Sequence, residues 1–170
     1  MTSVAKLISL VGLLALLSAC SGSAVAPVVA ATFCEDCIRL EISADQQLNF
    51  HQGIPHSLKL CIYQLSDPNS FKQLTHDMNG LYDLLDCKRY DSSVKVAQQE
   101  FVHPGKHQNL TFDRAEGTRF VGIVAGYYNL RKEDIIRLYE IPTKRSFFSK
   151  IDTLRLFDQR LVLGSQQISE

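Results

Sequence analysis

Two cysteines and two histidines stand at a spacing that is formally that of a zinc finger. Cys34 and Cys37 are separated by two residues, and His51 and His56 follow with four residues between them. A site of that kind needs both histidines on one helix. A glycine and a proline lie between them, and the proline directly precedes His56, which disfavours helix there. The spacing therefore predicts no metal site.

The same cysteine pair also has the spacing of a redox centre. Catalytic cysteine pairs sit at a helix N-terminus, where the helix dipole and nearby cations lower the thiol pKa. Here Glu35 and Asp36 lie between Cys34 and Cys37, and the residues that follow are predicted to form a strand. We therefore interpret the pair as a structural disulfide.

Four cysteines follow the leader described below, namely Cys34, Cys37, Cys61 and Cys87. In an oxidising compartment we expect two disulfides. Three pairings are possible, and the sequence cannot rank them by itself. We favour Cys34–Cys37 with Cys61–Cys87, because Cys61 lies in a predicted strand and Cys87 at the end of a predicted helix.

Nothing in the sequence indicates an enzyme. The remaining histidines, His76, His103 and His107, lie in polar or turn contexts and are interpreted as surface residues. The chain has no nucleophile elbow, P-loop or dinucleotide-binding glycine motif, and no paired catalytic carboxylates are recognisable. We therefore expect no catalytic residues and no cofactor.

The first twenty residues have the pattern of an export signal. Lys6 precedes an apolar run from Leu7 to Leu17, which covers only about half of the ~30 Å that a membrane-spanning helix must cross. The run ends in Leu-Ser-Ala-Cys, which resembles the bacterial lipobox. Residues 1–19 are thus predicted to be a removed signal peptide, and Cys20 to carry acyl chains. The alternative is an ordinary signal peptide with a chance cysteine.

The residue after the lipobox cysteine suggests where the anchor lies. Ser21 stands there instead of the aspartate that is linked to inner-membrane retention. By this resemblance we expect the protein in the inner leaflet of the outer membrane, facing the periplasm. Several chains on one residue make such attachment effectively permanent.

Without the signal peptide, 151 of the 170 residues remain, enough for one domain with a good core. They carry 17 basic and 18 acidic residues with no long run of either sign, so nucleic acid is a poor candidate partner. Residues 20–33 are uncharged and rich in small residues, and we interpret them as an acylated N-terminus and flexible tether. The alternative is a first strand docked on the body, which spans residues 34–170.

The body begins with two alternating strands and a helical stretch. Residues 38–43 and 58–65 have period-two apolar patterns, and the strand at 58–65 is predicted to be buried on both faces. A helical pattern from Phe71 to Leu85 supplies the cover for its outer face, and Asn79-Gly80 is predicted to divide it into two short helices.

The rest of the body is predicted to be β. The expected strands cover residues 94–102, 109–112, 118–128 and 135–141, and the tail from Ile151 to Leu163 is interpreted as a hairpin turning at Asp158-Gln159. Regular strands with turn signals and one early helical insertion indicate a mainly β, two-sheet β-sandwich.

The loop between the first two strands is the candidate binding site. It runs from Ala44 to His56, which is long for a hairpin connection of ~2–5 residues. Exposed apolar residues on a loop held by a rigid scaffold are a common way to build a binding site. The alternative is that its apolar side chains fold back into the core. The candidate residues are Asp45, Gln46, Gln47, Leu48, Asn49, Phe50, His51, Gln52 and Ile54, with Leu48, Phe50 and Ile54 as the apolar centre.

Four short segments, in order behind the lipobox, make the body resemble the TssJ family. They are Ile62-Tyr63-Gln64-Leu65, the Phe71 turn with the helix through Leu81-Tyr82, Phe101-Val102-His103-Pro104-Gly105, and the stretch from Gly117 to Tyr128. This family consists of outer-membrane lipoproteins of bacterial type VI secretion systems. The resemblance covers roughly Ile38 to Pro142, and the four-cysteine set departs from the family's usual pattern.

The resemblance implies a transthyretin-like sandwich with an added helical segment. It also implies a non-enzymatic scaffold that binds the periplasmic C-terminal region of the inner-membrane component TssM through the loop joining the first two strands. A different class of function stays open: a lipidated carrier or pilotin-like chaperone that holds a small molecule or peptide in a cleft. A solid apolar core would favour the scaffold.

Overall fold

A computed structural model of the chain describes residues 28–144 and 151–169. Within these ranges the chain forms eleven strands and three short helices. The strands are β1 (Val28–Ala30), β2 (Cys34–Ala44), β3 (Leu58–Leu65), β4 (Val94–Val102), β5 (His107–Arg114), β6 (Phe120–Ala125), β7 (Ile136–Glu140), β8 (Thr143–Lys144), β9 (Ile151–Leu154), β10 (Phe157–Leu163) and β11 (Ile168–Ser169). The helices are α1 (Asn69–Leu74), α2 (Met78–Leu85) and α3 (Lys132–Ile135).

Two four-stranded sheets form the body, which confirms the predicted two-sheet β-sandwich. One sheet has the strand order β4-β3-β6-β7 and the other β11-β10-β2-β5. Within these two sheets, neighbouring strands are antiparallel except β10 and β2, which run parallel. A smaller sheet of order β1-β9-β8 lies where the chain enters the body.

The apolar faces of the two sheets pack against each other. Alternate residues of β2 and β3, among them Ile38, Leu40, Leu60 and Ile62, are at most 1% exposed. This is the pattern that period-two alternation predicts for a strand with one face in a core. The core between the sheets is therefore a filled apolar layer.

Another apolar cluster lies on the opposite face of β3, as the sequence predicts. Cys61, Tyr63 and Leu65 point away from the first core and are covered by the helical insertion. The Cys61–Cys87 disulfide links β3 to the segment after α2, and the Tyr63 hydroxyl donates to the Leu84 carbonyl at 2.5 Å. Both contacts hold the insertion against the sheet.

The predicted division of the helical stretch at Asn79-Gly80 is wrong. The break lies at residues 75–77, and Asn79 and Gly80 are inside α2. Asp77 caps α2, because its carboxylate accepts from the Gly80 amide at 2.8 Å. A Cβ on Gly80 would lie 2.1 Å from the Leu74 carbonyl oxygen, so this glycine allows the two helices to approach closely.

The predicted hairpin of the tail is also wrong. Asp158 and Gln159 lie inside β10, which pairs in parallel with β2, whereas β9 pairs with β1 and β8. Two consecutive polar residues resemble a turn signal, but only Asp158 faces outward. Gln159 lies half-buried between Phe157 and Leu161 on the inner face, where the strand continues. The short helix α3 before β7 was not predicted either.

Part of the segment interpreted as a tether is docked on the body. Residues 28–30 form β1, which pairs in parallel with β9. The alternative of a docked first strand therefore applies to these residues. The predicted acylation site Cys20 and residues 21–27 lie outside the described residues. Within the described ranges, no helix has both the length and the apolar character needed to cross a membrane.

Candidate docking surface at the end of the sandwich

The loop between β2 and β3 is held to the sandwich by main-chain hydrogen bonds. The Asp45 amide donates to the Leu163 carbonyl at 2.8 Å, and the Asp45 carbonyl accepts from the amides of Leu48 and Gly105 at 3.1 and 3.0 Å. The Asp45 carboxylate accepts from the Gln47 amide at 2.6 Å. The first turn of the loop is thus fixed to both β10 and the β4–β5 turn.

Leu48 does not belong to the exposed surface that the sequence predicts. Its side chain is 0% exposed and packs in the core between the sheets. The expectation that Leu48 forms part of an apolar docking centre is therefore wrong. Burial of a leucine side chain in the core stabilises the folded state by ~1.5–3 kcal/mol, which favours the inward position. For Leu48 the alternative, a side chain folded back into the core, is the correct one.

Asn49 connects the loop to a more distant segment of the chain. It is 4% exposed and has a φ of 49°, a left-handed conformation that asparagine tolerates. Its side-chain amide donates to the Ser57 carbonyl at 3.3 Å and accepts from the Tyr128 amide at 2.9 Å. Asn49 is therefore an internal support and not, as predicted, a residue of the exposed binding surface. It places the segment after β6 beside the loop.

The tip of the loop is a two-residue hairpin. The amide of His51 donates to the Ile54 carbonyl at 3.0 Å, and the amide of Ile54 donates to the His51 carbonyl at 3.1 Å. Gln52 and Gly53, between them, have φ values of 49° and 85°. Positive φ at both central residues is the geometry of a type I′ turn. The tip therefore has a defined conformation.

Three aromatic rings meet at the base of this tip. The His51 ring stacks on the Tyr128 ring at 4.2 Å between centroids, and the His56 ring meets the edge of Tyr128 at 4.8 Å. Tyr128 is 57% exposed. Sequence reasoning missed Tyr128, because Tyr127-Tyr128 were assigned to the end of a strand. No local signal indicates that this segment meets the loop.

The exposed part of this end is apolar and aromatic. Phe50 is 36% and Ile54 57% exposed, and the Phe50 amide donates to the Ser165 carbonyl at 3.0 Å. We call Phe50, His51, Ile54, His56 and Tyr128 the docking surface. Four predicted residues are exposed around it, namely Asp45, Gln46, Gln47 and Gln52. Apolar groups ringed by polar ones are typical of protein contact sites.

Tyr127, the neighbour of Tyr128, points the other way. It is 3% exposed, and its hydroxyl donates to the Gln167 carbonyl at 2.8 Å. Burial raises the pKa of Tyr127 above its ordinary value. The hydroxyl therefore stays protonated and holds the β10–β11 connection beside the docking surface.

The cysteines form two disulfides in the structure, Cys34–Cys37 and Cys61–Cys87. This is the pairing that we favour from the sequence. In the part of the chain that the structure describes, no group of three or more His, Cys, Asp or Glu residues is arranged to hold a metal ion. His76, His103 and His107 are exposed, and the His103 ring shares a 2.7 Å hydrogen bond with the Ser57 hydroxyl.

A family model matches most of the chain. Residues 36–163 match the family described as type VI secretion lipoprotein, VasD, EvfM and TssJ. No match is found among curated protein sequences.

Solved structures with the same fold come from type VI secretion systems. The lipoprotein TssJ1 of Pseudomonas aeruginosa is similar with a TM-score of 0.60 and 22% identity, over 82% of this chain and 94% of that one. The Lip protein of Serratia marcescens, a membrane-bound component of its type VI system, is similar with a TM-score of 0.61 and 21% identity, over 78% and 94%. A chain in the structure of the TssM C-terminal domain (869–1107) from EAEC gives 0.58 and 17%, over 78% and 94%.

Proposed function

Because the chain belongs to the family of type VI secretion lipoproteins, we propose that it is the outer-membrane lipoprotein of a type VI membrane complex. In this role it is a structural component, and it binds the periplasmic C-terminal region of the inner-membrane protein TssM. The family is one of secretion lipoproteins rather than of enzymes. The family match over residues 36–163 is the observation that carries the proposal.

The anchor in this proposal is Cys20. Cleavage before it and acylation would attach the chain to the inner leaflet of the outer membrane, with the body in the periplasm. A residue that carries several acyl chains does not dissociate on a biological timescale, because each buried methylene contributes ~0.8 kcal/mol. Confinement of the body to one leaflet then raises its effective concentration for a partner that crosses the periplasm.

The docking surface is proposed as the contact with TssM. It lies at the end of β2 opposite to the end where the chain enters the body, and the 11 residues of β2 separate the two ends by about 35 Å. The main-chain bonds of the loop and the Asn49 amide fix its shape before any partner arrives. A surface that is already ordered loses less conformational entropy on binding.

The carrier alternative is less well supported. The side chains of the core between the sheets are at most 5% exposed and leave this layer apolar and filled. A cavity of about 410 Å³ lies outside the sandwich, between α1 and α3, with Phe71 and Ile136 in its lining. A ligand held between the sheets would have to displace core side chains.

Binding of the full-length protein in detergent to the periplasmic C-terminal domain of its cognate TssM tests the proposal. Phe50→Ala and Ile54→Ala should each weaken binding about tenfold, the loss of ~1.4 kcal/mol typical of a central interface residue. Phe33→Ala is the matched control. Phe33 is 61% exposed and lies at the opposite end of β2, so its removal should change the dissociation constant less than twofold.

Two results would contradict the proposal. Absence of binding by the wild-type protein would reject TssM as the partner. Wild-type affinity in both loop variants, with a loss in the Phe33 variant, would move the contact to the other end of the sandwich.

A further inference from the structure

Arg114 is a buried arginine whose hydrogen bonds go to main-chain carbonyls. It ends β5 and is 3% exposed. Its Nε and Nη2 atoms donate to the Thr32 carbonyl at 3.4 and 3.3 Å, and its Nη1 atom donates to the Arg155 carbonyl at 3.0 Å. The planar guanidinium group presents its donors in a fixed fork, so one side chain can join two segments in a defined geometry.

The two carbonyls belong to segments that follow the strands of the small sheet at the same end. Thr32 follows β1, and Arg155 follows β9. Since β1 and β9 are parallel, their carboxyl ends lie side by side. Arg114 therefore joins the ends of the two strands, one of which is the first described strand after the acylation site.

Further contacts fix the same segment. The Gly117 amide donates to the Ala31 carbonyl at 2.6 Å, and the Arg155 amide donates to the Pro142 carbonyl at 2.7 Å. Cys34 faces Arg114 in the register of β2 and β5, and its disulfide to Cys37 closes the bulge at the start of β2. The chain from residue 31 to residue 37 is thus attached to the body at Ala31, at Cys34 and at Asp36, whose amide donates to the Asp113 carboxylate at 3.0 Å.

We propose that Arg114 is a positioning residue that fastens the acylated N-terminal segment to the sandwich and so sets how far the body can move from the bilayer. This inference rests on the proposed acylation of Cys20. Thirteen residues, 21–33, would reach about 43 Å if all of them were free. With residues 28–33 docked, the length of residues 21–27 sets an upper limit of about 23 Å on the reach.

The consequence is a body held close to the membrane with a restricted orientation. The end that Arg114 organises faces the bilayer, and the docking surface at the other end of β2 points into the periplasm. Removing the arginine should release residues 28–33 and nearly double the reach, without touching the docking surface.

Elastase digestion of the full-length acylated protein on vesicles of phosphatidylethanolamine and phosphatidylglycerol tests the inference. Elastase cuts after small residues, and alanine and valine recur throughout residues 24–31. Mass spectrometry of the released body identifies each cut. In the wild type we expect cuts confined to residues 21–27, because the active site of a protease cannot bind a segment that is hydrogen-bonded within a sheet. In Arg114→Ala we expect cuts to extend to residues 28–33.

Two further variants separate a positioning role from a general loss of stability. Arg114→Lys keeps the charge but not the fork, so its cuts should be intermediate. Arg39→Ala removes an exposed arginine from β2 and should leave the wild-type cuts unchanged. Thermal unfolding of each variant by circular dichroism shows whether the body is folded.

The proposal is overturned if elastase cuts the wild type equally throughout residues 21–33, a result that needs no variant to fold. It is also overturned if a folded Arg114→Ala variant gives the wild-type cuts. A failure of the proposed acylation is distinguishable, since the protein would then not sediment with vesicles. The cuts can still be mapped on that soluble protein.

Discussion

Different kinds of contact stabilise the structure at the two ends of β2. At the end where β2 begins, the anchor end, buried polar side chains bind main-chain groups of neighbouring segments. The Arg114 guanidinium does so for Thr32 and Arg155, and the Gln64 amide does so for the segment after β5. At the loop end, main-chain hydrogen bonds fix the loop, with the Asn49 side chain as one internal support, and aromatic side chains face solvent. The first arrangement resists displacement, and the other leaves a surface free for contact.

This difference matches the two tasks in the proposed function, attachment at one point and binding at another. Contacts directed inward at the anchor end fix the chain that follows the proposed acylation site. Exposed rings on a fixed main chain at the loop end supply apolar area at low entropic cost. Because about 35 Å of strand separates the two ends, changes at one should leave the other intact.

The largest effect on stability should come from the loop residue that is buried. Leu48→Ala should lower the free energy of unfolding by about 3 kcal/mol, because it removes a 0% exposed side chain and leaves a cavity at the loop end of the core. Ile54→Ala, six residues later, should change it by less than about 0.5 kcal/mol. Urea unfolding followed by circular dichroism measures both. Equal losses in the two variants would mean that Ile54 contributes as much to the core as Leu48 does.

Sequence patterns predicted the bounds of the strands better than they predicted which strands pair with each other. The alternation in β3 and β4 is local, so residues 58–65 and 94–102 were predicted with the observed bounds. The pairing of β10 with β2 joins residues more than a hundred positions apart, and no local pattern reports it. The tail was therefore interpreted as a hairpin.

The candidate site was predicted only in part, because some of its features depend on contacts between segments that are distant in the chain. Leu48, Phe50 and Ile54 are apolar residues in similar polar surroundings, and only the packing of the core decides that Leu48 is inside. The roles of Tyr128 and Arg114 could not be predicted from the sequence, because they depend on contacts with segments that are distant in the chain. The loop was found by its length, which is a local property.

A smaller loss of stability is expected from variants of two buried side-chain amides, one at each end of the sandwich. Gln64 is 2% exposed; its amide donates to the Asp113 carbonyl at 2.7 Å and accepts from the Ala115 amide at 2.8 Å. Gln64→Leu leaves these two groups and the Thr118 hydroxyl, which donates to the same amide oxygen at 3.1 Å, without a partner and should cost about 2.5 kcal/mol. Asn49→Gly removes two hydrogen bonds but keeps a residue that accepts positive φ, so it should cost about 2 kcal/mol.

Measurement of TssM binding beside stability separates these two variants further. Asn49 supports Tyr128, so Asn49→Gly should weaken binding severalfold. Gln64→Leu, at the anchor end, should leave the affinity of the folded protein unchanged. If Gln64→Leu weakened binding as much as Asn49→Gly did, the two ends would be coupled and not independent.

The smallest effect is a pH dependence at the anchor end, in the turn before β4. A hydrogen bond from Ser70, together with bonds from the Ser93 hydroxyl and amide, holds the pKa of Asp91 below its usual value of 3.8. A carboxyl group whose pKa is lowered by folding stabilises the folded state above the unfolded pKa. That contribution is lost as the pH falls through the folded pKa. Asp91→Asn should therefore cost about 0.5 kcal/mol at pH 7, a small value because solvent screens this turn.

The difference between wild type and Asp91→Asn should be constant above about pH 5 and should disappear below the lowered pKa of Asp91. Thermal unfolding of both proteins from pH 2 to pH 7 measures it. A difference that grows on acidification would have the opposite sign and would mean that folding raises this pKa. Binding of TssM at pH 7 should be the same in both proteins, because Asp91 lies at the end of the sandwich that does not carry the docking surface.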